Sequence, residues 1–454
     1  MSEFDYIANA RRVVGPGPDV AGVVAGTPRQ VPGNVRSLGL AAIGIGVLAA
    51  GGGLMMDAAR TKGVILTCIV YFMGVGFGGT LFSVIQTQTL GRWGRPFKRV
   101  AESFGTFLPV LYVLWVLFAL FGADVYPWKH MHDLPPHKEI YLSYPFWVAR
   151  QVFGVGFLVL LAQIFIANSL RPDLGAAAET LGDKAPAWWS RFTNGWLGRA
   201  EEIEVAYHKN IRLGPVYIIS YAILFSIFSV DAVMSLEPYW YANMFPLWQA
   251  VSSLWVSLNW VVIVSVLGSG WLGIKHLQKT SNFHDIGKFI FALSVFWAYT
   301  FFSQLLPIWY GNMIEETGYL ILRIYTEPWA GLAKVVGAMC FLMPFTVLLS
   351  RGIKKIPTAM IGISCVVAIG IFLERFLLVM PPIHHGDSLP LGLVELGVVL
   401  GFVGAFGTWV SSFLAQVPPV VFTDPFMNPH PDDVHLHAHG GGHEGGHDHG
   451  HAHG

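Results

Sequence analysis

Ten apolar stretches constrain the fold of this chain more than any other feature. Each is about as long as the 20 or so residues that a helix needs to cross a bilayer. They lie near residues 36–56, 63–87, 103–123, 145–170, 213–235, 247–275, 285–310, 328–350, 357–380 and 389–416. They are too long for barrel strands and lack the alternation of such strands. The sequence therefore predicts an all-α polytopic membrane protein with ten transmembrane helices, numbered here as spans 1 to 10.

Composition excludes several other classes of protein. Only 12% of the 454 residues are charged, against roughly 25% in soluble domains, so an ordinary soluble enzyme is excluded. Zero formal net charge argues against nucleic-acid binding. The three cysteines are dispersed and lie in apolar stretches, and no histidine lies well inside a span. We therefore expect no disulfide framework, haem or iron–sulfur centre held by this chain alone.

Lysine and arginine are distributed unequally between alternate loops. Twenty lie in the N-terminal segment and the loops after spans 2, 4, 6 and 8, against five in the other loops. The positive-inside rule then places both termini in the cytoplasm. The predicted organisation is a cytoplasmic segment at 1–35, a membrane domain at 36–416 and a disordered His/Gly-rich tail at 417–454. Aromatic and acidic residues within 171–212 further predict an amphipathic helix on the cytoplasmic surface.

Charged residues inside spans are costly in hydrocarbon and are candidates for function. Five of them are predicted to share one depth, roughly 8–10 Å below the non-cytoplasmic boundary: Asp231, Lys334, Glu374, Arg375 and Glu395. They form either structural ion pairs or a layer that conducts protons or contacts a quinone. Tyr217 and Tyr221 share a helix face with Asp231. Either this face packs against neighbouring helices, or it carries protons through bound waters.

Further candidates lie at the membrane surfaces. Cytoplasmic proton uptake is predicted at Glu204, His208 and His284, and release on the opposite side at Glu237, Glu315 and Glu316. Nine of the seventeen histidines follow Asn428. His435, His437 and His439 are a metal-binding candidate for Ni, Zn or Cu, but the tail histidines as a whole are irregularly spaced, which argues against a defined site.

Two segments resemble a known family. One is residues 231–245, which read DAVMSLEPYWYANMF. The other extends from the string FHDIGK at 283–288 to SQLLPIWYGN at 303–312 and Glu315-Glu316-Thr317. Together with His208-Lys209 and Glu374-Arg375, these strings resemble the second large membrane subunit of alternative complex III, a bacterial quinol:cytochrome c oxidoreductase. One position departs from this pattern, since Tyr239 stands where histidine is expected.

The resemblance implies a relative of the polysulfide-reductase-like membrane subunits, with two four-helix bundles and two peripheral helices in the bacterial inner membrane. It implies partners that carry c-type haem and iron–sulfur clusters, and a sister membrane subunit that oxidises quinol. It leaves open whether this chain binds quinone or quinol itself, and any enzymatic activity belongs to the complex. Two alternatives are a secondary transporter, which would have helices interrupted at the bilayer midplane, and a purely structural membrane subunit.

Overall fold

The computed structural model describes residues 18–131, 134, 136–312 and 314–424, and all structural statements below concern these residues. They form helices and no strand. Ten helices are long and apolar enough to cross a membrane: Gly33–Met56, Ala58–Gln88, Arg95–Phe121, Tyr144–Lys184, Arg199–Leu236, Phe245–Leu272, Thr280–Gly311, Trp329–Leu349, Pro357–Val379 and Leu393–Gln416. The prediction of an all-α protein with ten spans is confirmed.

The spans form two bundles and a peripheral pair. Spans 2 to 5 pack as one four-helix bundle, spans 6 to 9 pack as a second, and spans 1 and 10 pack on each other. Span 2 is the central helix, because it contacts members of both bundles as well as the peripheral pair. It is also the most deeply buried span, with 89% of its apolar window inside the protein. This is the arrangement that the resemblance implies.

Glycines determine how closely the peripheral pair packs. Gly46 of span 1 lies against Gly401 of span 10, and a Cβ on either residue would clash with the backbone of the other. Gly39 and Gly404 form a similar close approach farther along the seam. In lipid, where helix association depends on van der Waals contact, small residues of this kind let backbones meet.

Several spans depart from regular α-helix. Spans 4, 5 and 8 contain π-helical turns at Gln151–Val155, Tyr221–Phe225 and Ala338–Leu342, and a fourth turn, Ile321–Tyr325, precedes span 8. Such turns are frequent at functional sites. Span 3 is interrupted at residues 106–107, just before Pro109.

The amphipathic helix predicted within 171–212 is not present as a separate surface helix. Span 4 continues to Lys184 and span 5 already begins at Arg199, so only residues 185–198 connect them. A bidentate ion pair holds the two extensions together, with Arg171 Nε and Nη2 at 2.8 and 2.7 Å from the Glu202 carboxylate. Glu202 thus lies in the first turn of span 5 and joins it to span 4, and the connection between the two spans carries only the four-residue helix Trp189–Phe192.

The predicted disordered tail begins too early at 417. Residues 417–424 pack against the helices, with Val417, Val420 and Phe422 fully buried. Asp424 binds Arg95 at 2.6 Å. The backbone N–H and the hydroxyl of Thr423 donate to Asp173 Oδ1, at 2.9 and 2.6 Å. These contacts fix the segment because they complete ion pairs that are buried inside the first bundle.

Candidate functional site

A cavity of about 260 Å³ lies within the second bundle, near the end opposite the Lys/Arg-rich loops. We call it the tryptophan cavity, since Trp240, Trp248 and Trp297 form much of its wall. Phe301 and Tyr319 continue this aromatic surface. The volume is slightly below the roughly 300–1,000 Å³ of common small-molecule sites. The cavity can therefore hold a planar ring or a few water molecules.

The connection between spans 5 and 6 and the connection between spans 7 and 8 close the tryptophan cavity at its outer end. Trp240, between spans 5 and 6, stacks on Tyr319 of the short helix Ile314–Leu320, with ring centroids 3.7 Å apart. The guanidinium of Arg323 lies 3.8 Å from the centroid of the same tyrosine ring. It donates to the carbonyls of Leu377 and Leu378 at 3.2 and 3.1 Å. Burial raises the pKa of Tyr319 to about 12, so its hydroxyl stays protonated at neutral pH.

A buried ion pair forms the polar part of the cavity wall. Glu374, which lines the cavity, accepts a hydrogen bond from Arg375 Nη1 to Oε1 at 2.7 Å. The Nε1 of Trp297 donates to Glu374 Oε2 at 3.3 Å. Arg375 also donates to Ser252 Oγ at 2.6 Å. Both charged residues are only 1% exposed, so the carboxylate is charge-compensated and still borders the cavity.

Two donors of the tryptophan cavity have no acceptor among the described residues. The Nε1 atoms of Trp240 and Trp248 are buried and make no hydrogen bond. An indole N–H can only donate, and a buried unsatisfied polar group costs about 1–3 kcal/mol. These two unpartnered donors therefore belong to residues of the cavity wall, as does the Glu374 carboxylate.

Asp231 lies in the first bundle in a different ion pair. Its carboxylate accepts two hydrogen bonds from Arg150, at 2.9 and 3.0 Å, and one from Gln151 Nε2 at 2.5 Å. Tyr141 also bonds to it, and burial, followed by the Asp231 charge, raises the pKa of Tyr141. Arg150 is absent from the predicted layer, although it lies five residues after Pro145 inside span 4. Its depth below the non-cytoplasmic boundary is therefore similar to that of the five charged residues predicted there.

A second cavity adjoins this ion pair. Its volume is about 170 Å³, and it is lined by Arg150, Gln151, Gly154, Val155, Leu224, Ile227 and Phe228. The π-helical turns of spans 4 and 5 supply four of these residues. Arg150 Nη1 and Gln151 Oε1 are buried with no partner among the described residues. This second cavity therefore offers one donor and one acceptor.

The remaining members of the predicted layer lie elsewhere. Glu395 is bonded to Arg60 and caps span 10 by accepting from the Gly392 N–H at 2.7 Å. Lys334 is exposed on the surface of span 8 and forms no ion pair within the described part of the chain. The structure thus groups the five predicted residues into three separate ion pairs, two of them with the additional partners Arg150 and Arg60, and one exposed lysine.

The two tyrosines of span 5 both donate to backbone carbonyls. Tyr217 Oη donates to Phe77 at 3.2 Å, and Tyr221 Oη donates to Ala250 at 3.3 Å. Their rings stack with centroids 6.3 Å apart. They therefore join span 5 to spans 2 and 6, as expected if this face of the helix packs against its neighbours, while each hydroxyl oxygen can still accept a hydrogen bond.

The predicted surface groups are only partly brought together. Glu237 pairs with Arg323 at 3.2 Å, next to the tryptophan cavity, and Glu316 is half-buried. The side chain of Glu315 lies outside the described residues. At the opposite end, Glu204 and His208 are half-buried on span 5, whereas His284 lies near Asp285, with Nδ1 3.9 Å from Oδ1.

A larger buried charge cluster at the Lys/Arg-rich end was not predicted. Arg99 bridges Glu102 and Asp173, and all three side chains are fully buried. Glu102 Oε1 accepts from Ser83 and Ser169, both at 2.7 Å. Part of this cluster is visible in the sequence, since Arg95, Lys98, Arg99 and Glu102 lie within eight residues. The prediction places the three basic residues in the loop after span 2, whereas the structure places them in the first turns of span 3.

The described residues contain no group of three or more histidine, cysteine or acidic side chains that could hold a metal ion. The tail candidates His435, His437 and His439 lie outside the described residues. No protein-family model matches the chain, and no curated protein is similar to it.

Proposed function

We propose that this chain is an integral membrane subunit of a respiratory quinol:cytochrome c oxidoreductase of the alternative complex III type, and that the tryptophan cavity receives the head group of a quinol. In this proposal the protein lies in a bacterial cytoplasmic membrane with both termini in the cytoplasm. The unequal loop charges support this orientation.

The observation that carries the proposal is the combination of donors and acceptor around the tryptophan cavity. Trp240 and Trp248 present unpartnered N–H groups, which suit the oxygens of a quinone ring. The carboxylate of Glu374 can accept a hydrogen bond from a quinol hydroxyl. Aromatic walls suit the flat ring itself.

Chemistry within this chain would be limited to binding and proton transfer. Glu374 would take a hydroxyl proton, and Arg375 would compensate its charge before the transfer. Glu237, which pairs with Arg323 at the outer end of the same cavity, would pass the proton outward, while Arg323 stays charged and holds the carboxylate in place. Electrons would leave to the c-type haem and iron–sulfur subunits that the family resemblance implies.

Substitution of one indole tests whether the cavity binds quinol. Trp248→Phe removes the unpartnered N–H and keeps an aromatic ring. Trp115→Phe is the matched control, because Trp115 is fully buried, has an equally unpartnered Nε1 and lies in the other bundle. We expect Trp248→Phe to raise the KM for quinol in the purified complex and the control to leave it unchanged. Equal effects of both variants would refute quinol binding in the cavity.

Purification from native membranes tests the assignment to a complex. Co-elution of the tagged full-length chain with c-haem and iron–sulfur subunits would support it. A chain that elutes alone and transports a solute in proteoliposomes would instead support the transporter alternative.

One observation bears on that alternative, namely the interruption of span 3 at residues 106–107. Interrupted helices bind substrates when their free backbone groups line a cavity. Here the Thr106 N–H donates to the backbone carbonyl of Glu102 at 3.2 Å, and the Phe107 N–H donates to the backbone carbonyl of Phe104 at 3.1 Å. The Gly105 carbonyl accepts from Gln163 at 2.8 Å. Neither Thr106 nor Phe107 lines a cavity described above, so this break gives the transporter alternative no support.

A further inference from the structure

Spans 9 and 10 follow each other in sequence but lie apart. Span 9 packs on spans 2, 6 and 8, whereas span 10 packs on spans 1 and 2, so span 2 lies beneath both. The space between them is a groove of about 850 Å³ with an almost entirely apolar lining. We call it the span 9–10 groove.

The groove has a buried floor and an exposed rim. Val64, Phe72 and Phe376 form part of the floor and are at most 1% exposed. Ile369 and Leu396 on the rim are 54% and 56% exposed. In a membrane the rim faces hydrocarbon, and an apolar space of this kind excludes water. The groove is therefore accessible from the lipid and suits a chain of methylene groups.

The dimensions of the groove match one leaflet. On span 10 its lining extends from Leu393 to Val403, which is about 15 Å at 1.5 Å per residue. The hydrocarbon core of a bilayer is about 30 Å thick. A single acyl chain of one leaflet therefore fits along the groove.

Polar groups lie at one end of the groove rather than within it. Tyr71 is the main polar side chain inside, and its hydroxyl is satisfied, donating to the Ala368 carbonyl and accepting from Trp260 Nε1, both at 2.9 Å. At the end, Arg60 Nη2 lies beside Gly392, 3.2 Å from the place of a Cβ on that glycine. The Arg60 side chain is bonded to Glu395 and is still 30% exposed. A guanidinium in this position can bind a phosphate.

We propose that the span 9–10 groove binds one phospholipid, with an acyl chain along the groove and its phosphate on Arg60. A quinone is the weaker fit, because the groove interior has no free hydrogen-bonding group for a ring, whereas Arg60 at its end matches an anionic head group. This site is distinct from the tryptophan cavity and does not depend on the proposed function.

Native mass spectrometry of the full-length chain, purified with its natural partners in mild detergent, tests the proposal. Leu396→Trp would fill the groove from its rim, and Leu48→Trp is the matched control on the exposed face of span 1, where Leu48 is 76% exposed. Arg60→Gln would remove the phosphate partner. Its control is Lys62→Gln, which removes a nearby cation that pairs with Asp124 outside the groove.

We expect the wild type and both controls to retain one phospholipid after delipidation, and Leu396→Trp and Arg60→Gln to lose it. Ile369→Trp fills the groove from the opposite rim and replaces Leu396→Trp if that variant does not fold. Absence of a retained phospholipid in the wild type would overturn the proposal. Retention of a quinone instead, or of the same phospholipid in both groove-filling variants, would also overturn it.

Discussion

The ion pair between Glu374 and Arg375 makes a quantitative prediction about stability. Arg375→Met keeps much of the side-chain volume and removes the positive charge. The pair has an N–O distance of 2.7 Å, and each side chain is 2% exposed. Two unit charges at that separation attract by about 6 kcal/mol at an effective dielectric constant of about 20. Breaking a buried pair by removing one partner costs about 3–5 kcal/mol, because the other charge remains buried.

The free energy of unfolding, from SDS titration in mixed micelles followed by circular dichroism, should therefore fall by about 3–5 kcal/mol in Arg375→Met. Lys334→Met is the matched control, since it makes a similar exchange at an exposed position of span 8. This control should not lower the free energy of unfolding, because Lys334 is exposed on a membrane span and its removal takes a charge out of the hydrocarbon.

The double variant Glu374→Gln/Arg375→Met separates the missing charge from general disturbance of the site. With both charges gone, no unpaired charge remains, so the double variant should be more stable than Arg375→Met alone. The reasoning is refuted if Arg375→Met costs less than about 1 kcal/mol, or if the double variant is no more stable than the single one.

Three further predictions concern other parts of the chain. Asp231→Asn should slow quinol oxidation by the purified complex while the subunits still co-elute, because it removes a titrating group with little change in volume; normal turnover would argue for a structural role. Deletion of 430–454 should leave assembly unchanged in a co-elution assay, whereas deletion from 417 onward should impair it, since residues 417–424 complete buried ion pairs. Burial raises the pKa of Tyr319 to about 12, above the value of about 10 for tyrosine in an unfolded chain. The contribution of the protonated phenol to the free energy of unfolding is therefore fully present below about pH 10 and is lost as the pH rises toward 12. Tyr319→Phe should reduce this alkaline loss in SDS titrations, and an unchanged pH profile would contradict the assignment.

Sequence alone predicts the spans well, because their signal is the length and composition of a local stretch. The depth argument also works locally, and it finds Asp231 and Glu374, both of which are buried in ion pairs. The depth of a charged residue below the membrane boundary does not say whether its side chain is buried in the protein or exposed to lipid. Span 8 is apolar around its whole circumference, so no periodicity indicated that Lys334 lies on its outer surface.

The tryptophan cavity could not be predicted, because its walls come from distant parts of the chain. Trp240 and Tyr319 stack although they lie in different loops, and Trp297 reaches Glu374 from another span. Contacts of this kind depend on how the bundle closes rather than on a local pattern. Arg150 is a different case, since its position was readable in the sequence and only its partner required the structure.

The choice between structural ion pairs and a functional polar layer depends on what the pairs adjoin. Glu374 and the Asp231–Arg150 pair each border a cavity, and each cavity has buried polar atoms without a partner among the described residues. A pair that only joins helices gains nothing from such atoms, because each one costs about 1–3 kcal/mol. Waters or a polar ligand in the cavities would satisfy them. Both cavities thus leave room for waters or a ligand beside these pairs, as the functional alternative requires, whereas Glu395, which caps a helix and binds Arg60, fits the structural one.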